Sequence, residues 1–352
     1  MIDQDTIALA LEADDRRRAA RRHFLRTASQ ATFAAGGLSL LAACGGSDTA
    51  TPTPTDSATP TPSPSSTDAI RDTASLNFAL QLAYLQAQFF CFATRGTGLS
   101  ALPDSNTAGV TSPYAVPGGG AALLTGTGTQ GAVTGGAAVT FTDPLVGEYA
   151  REIFADDLAH LKFLRSVIGS SAFAMPAINI DGGAAGAFTQ AARLAGYVGS
   201  GATFDPYASD VNFLLAAFFL KDVAVTAYKG ATTLITATLY LDAAAGLLST
   251  QAYHAGLVRT TLYTKGQGTA AGQFSDARDS LDGSTDLDQG IVGDSTTANI
   301  SPTDAQGRTF TRTAGQVLNI AYLNAAAVTS GGFFPSGLNG TIKTSANSTV
   351  ST

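Results

Sequence analysis

The sequence predicts an all-α protein built on a four-helix bundle. Four segments, at about 69–94, 143–169, 208–229 and 239–264, repeat their apolar residues at three- and four-residue spacing. No heptad pattern continues beyond one helix length, and each segment carries a polar residue on or beside its apolar stripe. Helices with one apolar stripe must bury it against one another, and four of this length make a bundle.

Residues 1–43 are expected to be a twin-arginine lipoprotein signal and not part of the fold. Ala20-Arg21-Arg22-His23-Phe24-Leu25-Arg26 has the form of a twin-arginine export motif, and the following apolar stretch ends in Leu41-Ala42-Ala43-Cys44. Small residues directly before a Cys fit a lipoprotein cleavage site, with Cys44 becoming the acylated first residue. The apolar run is short and holds Gly36 and Gly37, unlike a spanning helix. Residues 44–68 then read as a Thr/Pro/Ser-rich tether, too poor in apolar side chains to offset the entropy of ordering. The expected partner is a lipid membrane held through acylated Cys44, with the several chains of a bacterial lipoprotein needed for stable anchoring. Gly45 follows Cys44, which in bacterial lipoproteins permits transfer to the outer membrane.

Composition narrows the function classes. Six of the 20 basic and five of the 27 acidic residues lie in the first 43, leaving 14 and 22, a formal charge of −8. Such a surface repels nucleic acid. Beyond Cys44 the sequence has only Cys91, so no intramolecular disulfide is available in an oxidising compartment. Cys91 sits beside Phe89, Phe90 and Phe92 and reads as a buried, inert thiol.

The first helix carries Leu76, Leu80, Ala83, Ala87 and Phe90, with Gln86 flanking that stripe. The second opens on the cap Asp143 with Pro144 at its first position. Its stripe runs Leu145, Tyr149, Ile153, Asp157, His160, Leu164, Ile168, so Asp157 and His160 interrupt a buried seam. In the third, Lys221 stands seven residues from both Leu214 and Tyr228, in a segment apolar nearly all round. The fourth places Gln251 and His254 between Leu247 and Val258. A carboxylate and an imidazole three residues apart on two facing helices is half of a di-iron carboxylate site. Here the two motifs read Asp157-Leu158-Ala159-His160 and Gln251-Ala252-Tyr253-His254, so neither holds Glu.

About 48 residues join the first two helices and about 38 the next two, lengths that indicate ordered excursions wrapping the bundle. Ala132-Val133-Thr134 and Val139-Thr140-Phe141 are expected to form a hairpin about Gly135-Gly136. Gly126-Thr127-Gly128-Thr129-Gln130-Gly131 matches a dinucleotide fingerprint in letters, yet neither follows a clear strand nor opens a helix. From residue 266 to 352 the chain reads as a mostly irregular extension packing on the 69–265 bundle. It has short helices near 275–280 and 314–323, Phe333-Phe334-Pro335 turned inward, and a disordered end. No G-x-S-x-G elbow is present, and Tyr84, Tyr149, Tyr228 and Tyr253 at seam positions read as core aromatics.

Leu76-Asn77-Phe78-Ala79-Leu80, Tyr149-Ala150-Arg151-Glu152-Ile153, Asp157-Leu158-Ala159-His160, the segment Asp222 to Gly230, and Val317-Leu318-Asn319-Ile320 together resemble the exported ferritin-like family that includes plant and bacterial desiccation-related proteins. The resemblance covers about residues 69–341. It implies Glu in the first helix where Ala83, Gln86 and Gln88 stand, Glu at Asp157 and Gln251, and often Glu at Lys221. About four carboxylates normally balance two iron(II) ions; here one Asp remains and a Lys is added. Gln is a neutral oxygen ligand that does not bridge two irons, and an ammonium group repels a cation. The expected layer is therefore metal-free and without cofactor, with Lys221 paired to Asp157, hydrogen-bonded by Gln86 and Gln251, and completed by His160 and His254. The alternative is a mononuclear Fe or Mn site of Asp157, His160 and His254, with Lys221 pointing outward and Glu152, Asp156 or Asp222 adding an oxygen. A binding or structural envelope protein, stress-related by the family resemblance, follows from the first reading and a redox enzyme from the second.

Overall fold

A computed structural model describes residues 66–349. The expected signal, Cys44 and the tether as far as residue 65 lie outside the described residues, as does the chain end from residue 350. The helices are α1 (Ser66–Arg95), α2 (Gly119–Ala122), α3 (Pro144–Ile168), α4 (Ala187–Leu194), α5 (Asp210–Thr232), α6 (Thr238–Thr264), α7 (Gly268–Asp282) and α8 (Ala314–Tyr322). Helix α1 starts three residues before the predicted 69, inside the predicted tether. The four long ones form the bundle: α1 packs along α3 and α5 along α6, and α1–α5 and α3–α6 contacts close the ring.

Local chemistry sets the helix starts. Asp143 accepts the Leu145 N–H at 3.1 Å ahead of Pro144, and Ser209 accepts the Asn212 N–H at 3.2 Å at the head of α5. Ala237, the residue before α6, has no capping side chain. Asp72 of α1 replaces it, accepting the Thr236 and Ala237 N–H groups at 2.8 and 2.9 Å, a carboxylate placed at the positive end of the α6 dipole. Asp210 likewise accepts the Asp143 N–H at 2.9 Å, fastening the start of α5 to that of α3.

Helix α5 is long and apolar enough to cross a bilayer, but its most apolar stretch is largely buried in the bundle, as an all-round apolar core helix should be. Phe213 stacks on Phe89 at 5.6 Å between ring centres and meets Phe90 edge-on at 5.6 Å. In α3 the buried stripe begins at Val146, Ala150 and Ile153; Leu145, assigned to it from sequence, is exposed, and Tyr149 only half-buried. Tyr253 is 80 % exposed rather than a core aromatic. Burial pushes the Cys91 thiol up to about 12 against the opposing charge of Arg95, which leaves it protonated and unreactive.

The two long excursions are laced to each other. Strand β1 (Val133–Gly135) pairs in parallel with β2 (Ile178–Ile180), with Val133 opposite Ile178. This replaces the expected hairpin. Gly135 and Gly136 do turn the chain at positive φ, but Val139 N–H then bonds to Ala93 O at 2.9 Å, so the second half of the hairpin lies on α1. The glycine-rich Gly126 stretch runs against residues 172–175, and a Cβ on Gly126 would lie 2.3 Å from Ala172 O. Its glycines serve close backbone approach, and no helix opens there. The region from 266 is more helical than predicted: α7 covers 15 residues directly after α6, and α8 starts with a Thr313/Gln316 capping box. Phe333 is buried against Phe188 and Phe219, 5.0 and 5.7 Å between ring centres.

Candidate functional site

Lys221 occupies the middle of the bundle at 0 % exposure. Its ammonium donates to both oxygens of Asp157, at 2.7 and 2.8 Å, and to Gln251 Oε1 at 3.1 Å. The Gln251 amide nitrogen turns back to Asp157 Oδ1 at 3.2 Å and lies 3.3 Å from His160 Nδ1. His160 accepts that bond in the tautomer protonated at Nε2. The face of Phe90 lies 4.9 Å from Nζ, a favourable seat for a desolvated cation. Side chains of α3, α5 and α6, backed by α1, thus form one polar layer.

Two expected members stand apart from this contact. Gln86 is buried but bonds neither Lys221 nor, among the described residues, any partner through its Oε1. The reason is valence: an ammonium has three protons, and Asp157 and Gln251 receive them. His254 does not join the Lys221–Asp157 pair either. Its Nε2 lies 3.0 Å from Asp156 Oδ2, and its buried Nδ1 has no hydrogen-bond partner among the described residues. The two imidazole centres are 6.4 Å apart. Gln88, in the same helical segment, serves the fold by accepting the Leu99 N–H at 3.0 Å.

These residues do not fit a di-iron centre. The carboxylate oxygens of Asp157 face an ammonium, Gln251 engages His160 Nδ1, and Asp156 engages His254 Nε2, so the donors are already engaged and a positive charge sits among them. Nor do they fit the mononuclear arrangement, which needs Lys221 to point outward. The further oxygen donors proposed for it are placed elsewhere: Glu152 is exposed, Asp156 faces His254, and Asp222 belongs to a different cluster.

Burial dominates the electrostatics of the layer. It lowers the Lys221 pKa, with Asp157 and Asp156 opposing. It also takes His160 from 6.5 to about 4, with Asp157 and Asp156 opposing and Lys221 and His254 adding to the fall. Asp156 is held below the usual carboxylate range: burial raises it, but the hydrogen bond and charge of His254 outweigh that. In the unfolded chain His160 takes up a proton near pH 6.5 that the fold refuses until about pH 4. Its contribution is therefore full above pH 6.5 and lost as pH falls from there to about 4, on the order of 3 kcal/mol. Denaturant midpoints at pH 7.5, 5.5 and 4 should show this decline, and His160→Gln should flatten it.

Asp222 follows Lys221 in sequence and points about 100° round the helix. There it meets two fully buried arginines, and a third joins them through Asp288. Arg259 donates to Asp222 at 2.7 Å, and Arg278 to Asp222 at 3.1 Å and Asp288 at 2.5 Å. Arg312 reaches Asp288 at 3.1 Å and also pairs with Asp282. Three guanidinium groups and three carboxylates cancel, and the cluster ties α5 and α6 to the C-terminal region. Stripe spacing alone does not reveal it. One signal was present: α6 carries only Asp242 and Arg259 as charged residues in 27, so an Arg on its apolar side needed a buried partner.

Comparisons with known proteins agree with the bundle fold. The chain is 23 % identical over 289 residues to the ferritin-like catalase Nec2 of Nesocodon mauritianus, covering 77 % of this chain and 84 % of that one. It is 26 % identical over 194 residues to the desiccation-related protein PCC13-62 of Craterostigma plantagineum, covering 55 % and 54 % respectively, so it spans about half of that relative. No solved structure matches. Residues 71–264 match the family described as the ferritin-like domain, the stretch that holds α1, α3, α5 and α6 and their polar layer: the chain belongs to the ferritin-like family.

Proposed function

We propose that this ferritin-like protein works without metal, as a binding or structural protein of the bacterial envelope. It is exported by the twin-arginine route, held by acylated Cys44 at the outer membrane, and serves stress tolerance. The observation that carries the reading is the Lys221 ammonium on both oxygens of Asp157. A buried ammonium in this layer, with Gln251 in place of a carboxylate, supports a layer that holds no metal. The desiccation-related relative supports the stress role, and the acidic surface supports partners other than nucleic acid.

Metal analysis of protein matured through the twin-arginine route tests this directly. Iron and manganese together are expected well below one ion per chain, and about one or more per chain overturns the reading. The relative named a ferritin-like catalase favours a second reading, a mononuclear redox site of Asp157, His160 and His254. That reading requires Lys221 to leave Asp157. It predicts bound Fe or Mn, and hydrogen peroxide decomposition that disappears in His160→Ala.

A further inference from the structure

Beside the arginine cluster, a cavity of about 110 Å³ opens between the α5/α6 pair and the C-terminal segment. Hydrocarbon from Val225, Leu287, Ile300 and Phe310 makes most of its wall, and the Arg259–Asp222 and Arg312–Asp288 pairs lie at its base. Those pairs cancel in charge, although the buried Nε of Arg259 has no hydrogen-bond partner among the described residues, so the cavity offers no uncompensated charge to an ion, and stripping an ion of water there would be costly. Ser301 and Thr309 also line it, Ser301 exposed and Thr309 half-buried, so its more accessible lining residues carry hydroxyls.

The second observation is Gly256, which lines the cavity from the middle of α6. Glycine is the least favourable helix-interior residue after proline, so its presence needs a reason. At Gly230 of α5 the reason is packing, since a Cβ would lie 2.0 Å from Arg312 O. At Gly256 a Cβ would meet nothing within 4 Å among the described residues. Its neighbours on the wall, Ala252 and Ala255, are also small. No side chain from Ala252, Ala255 or Gly256 fills this stretch of the wall, so the space beside it stays open.

We propose that this cavity binds a small neutral apolar molecule, of the size of one six-membered ring or a six-carbon chain, with any hydroxyl directed to Ser301 and Thr309. The size follows from volume: an apolar cavity of about 150 Å³ takes benzene, and this one is slightly smaller but open at one end. Neutrality follows from the self-compensated base. The site is independent of the Lys221 layer.

The test uses the full chain with toluene, 1-hexanol and hexanoate as probes, followed by NMR titration. Toluene and 1-hexanol are expected to bind saturably and to show intermolecular NOEs to the methyl groups of Leu287 and Ile300. Hexanoate should bind at least about ten-fold more weakly. Gly256→Leu, which fills the cavity, should weaken toluene binding by at least about ten-fold. Gly246→Leu, on the exposed side of the same helix with equally open space at its Cβ, should leave it unchanged. The proposal is overturned by toluene and 1-hexanol that do not saturate, by NOEs to other methyls, by hexanoate binding as well as 1-hexanol, or by a folded Gly256→Leu that binds toluene like the wild type. Because the NOEs locate the probe in wild-type protein, the outcome does not depend on any variant folding.

Discussion

Lys221→Met is expected to lower the unfolding free energy by about 3–5 kcal/mol, read from denaturant midpoints at neutral pH. The substitution keeps the stem volume and removes the ammonium, which leaves the Asp157 carboxylate in the core with only the Gln251 amide donating to it. Asp157 has nowhere else to turn: it is buried on α3, and its two oxygens face Nζ. The paired change Lys221→Met with Asp157→Leu should recover most of the loss or exceed the wild type by about 1–4 kcal/mol, because a buried ion pair seldom outperforms well-packed hydrocarbon. The layer would then specify which helices face each other rather than add stability. A single-variant loss under about 1 kcal/mol would show the pair to be solvated rather than buried.

Arg278→Met should have an effect of similar size, about 3–5 kcal/mol, for a different reason. Arg278 is fully buried and touches both Asp222 and Asp288 while donating to Phe218 O at 2.7 Å. Burial already raises the Asp222 pKa, with Asp288 adding to it and Arg259 and Arg278 holding it down. Without Arg278 the two carboxylates face each other across the gap with less compensation. The strand of chain between Asp282 and Arg312, held by this cluster, should loosen. Limited proteolysis should therefore cut between residues 283 and 311 faster than in the wild type. Arg308→Ala is the control: its ion pair with Asp304 is exposed, and its loss should change stability by no more than about 0.5 kcal/mol. Equal effects of Arg278→Met and Arg308→Ala would contradict the buried cluster.

Hydrophobic spacing made the bundle legible. Leu76, Leu80, Ala83, Ala87 and Phe90, and likewise Ala244, Leu247, Gln251, His254 and Val258, are buried as their spacing indicates. The polar exceptions to those stripes singled out Asp157, Lys221, Gln251 and His160, which meet in the core. The same logic failed at Leu145 and Tyr253. Periodicity near a helix end, or on a helix flanked by small residues, does not say how far the neighbouring elements reach. The hairpin failed for a related reason: turn glycines fix where a chain bends, not which partner waits beyond the bend, and the partners were Ile178–Ile180 and Ala93.

Within the layer, residue types announced a cluster but not its wiring. Its place beside the first helix's stripe puts Gln86 near the layer, and only the count of three Lys221 protons, already taken by Asp157 and Gln251, shows why it is left out. His254 pairs with Asp156, the residue before Asp157 on the same helix, and spacing along its own helix does not disclose which of the two neighbouring carboxylates it meets. The Arg259, Arg278, Arg312 cluster draws on α5, α6, α7 and two loops, with partners up to 86 residues apart, beyond any local pattern. Helix positions, caps and the identity of the polar layer are local properties, set by side-chain spacing of three and four residues along one chain segment. Hydrogen-bond partners, charge cancellation and the apolar cavity beside Gly256 are decided by distances across space, where the geometry of packed helices determines which donor reaches which acceptor.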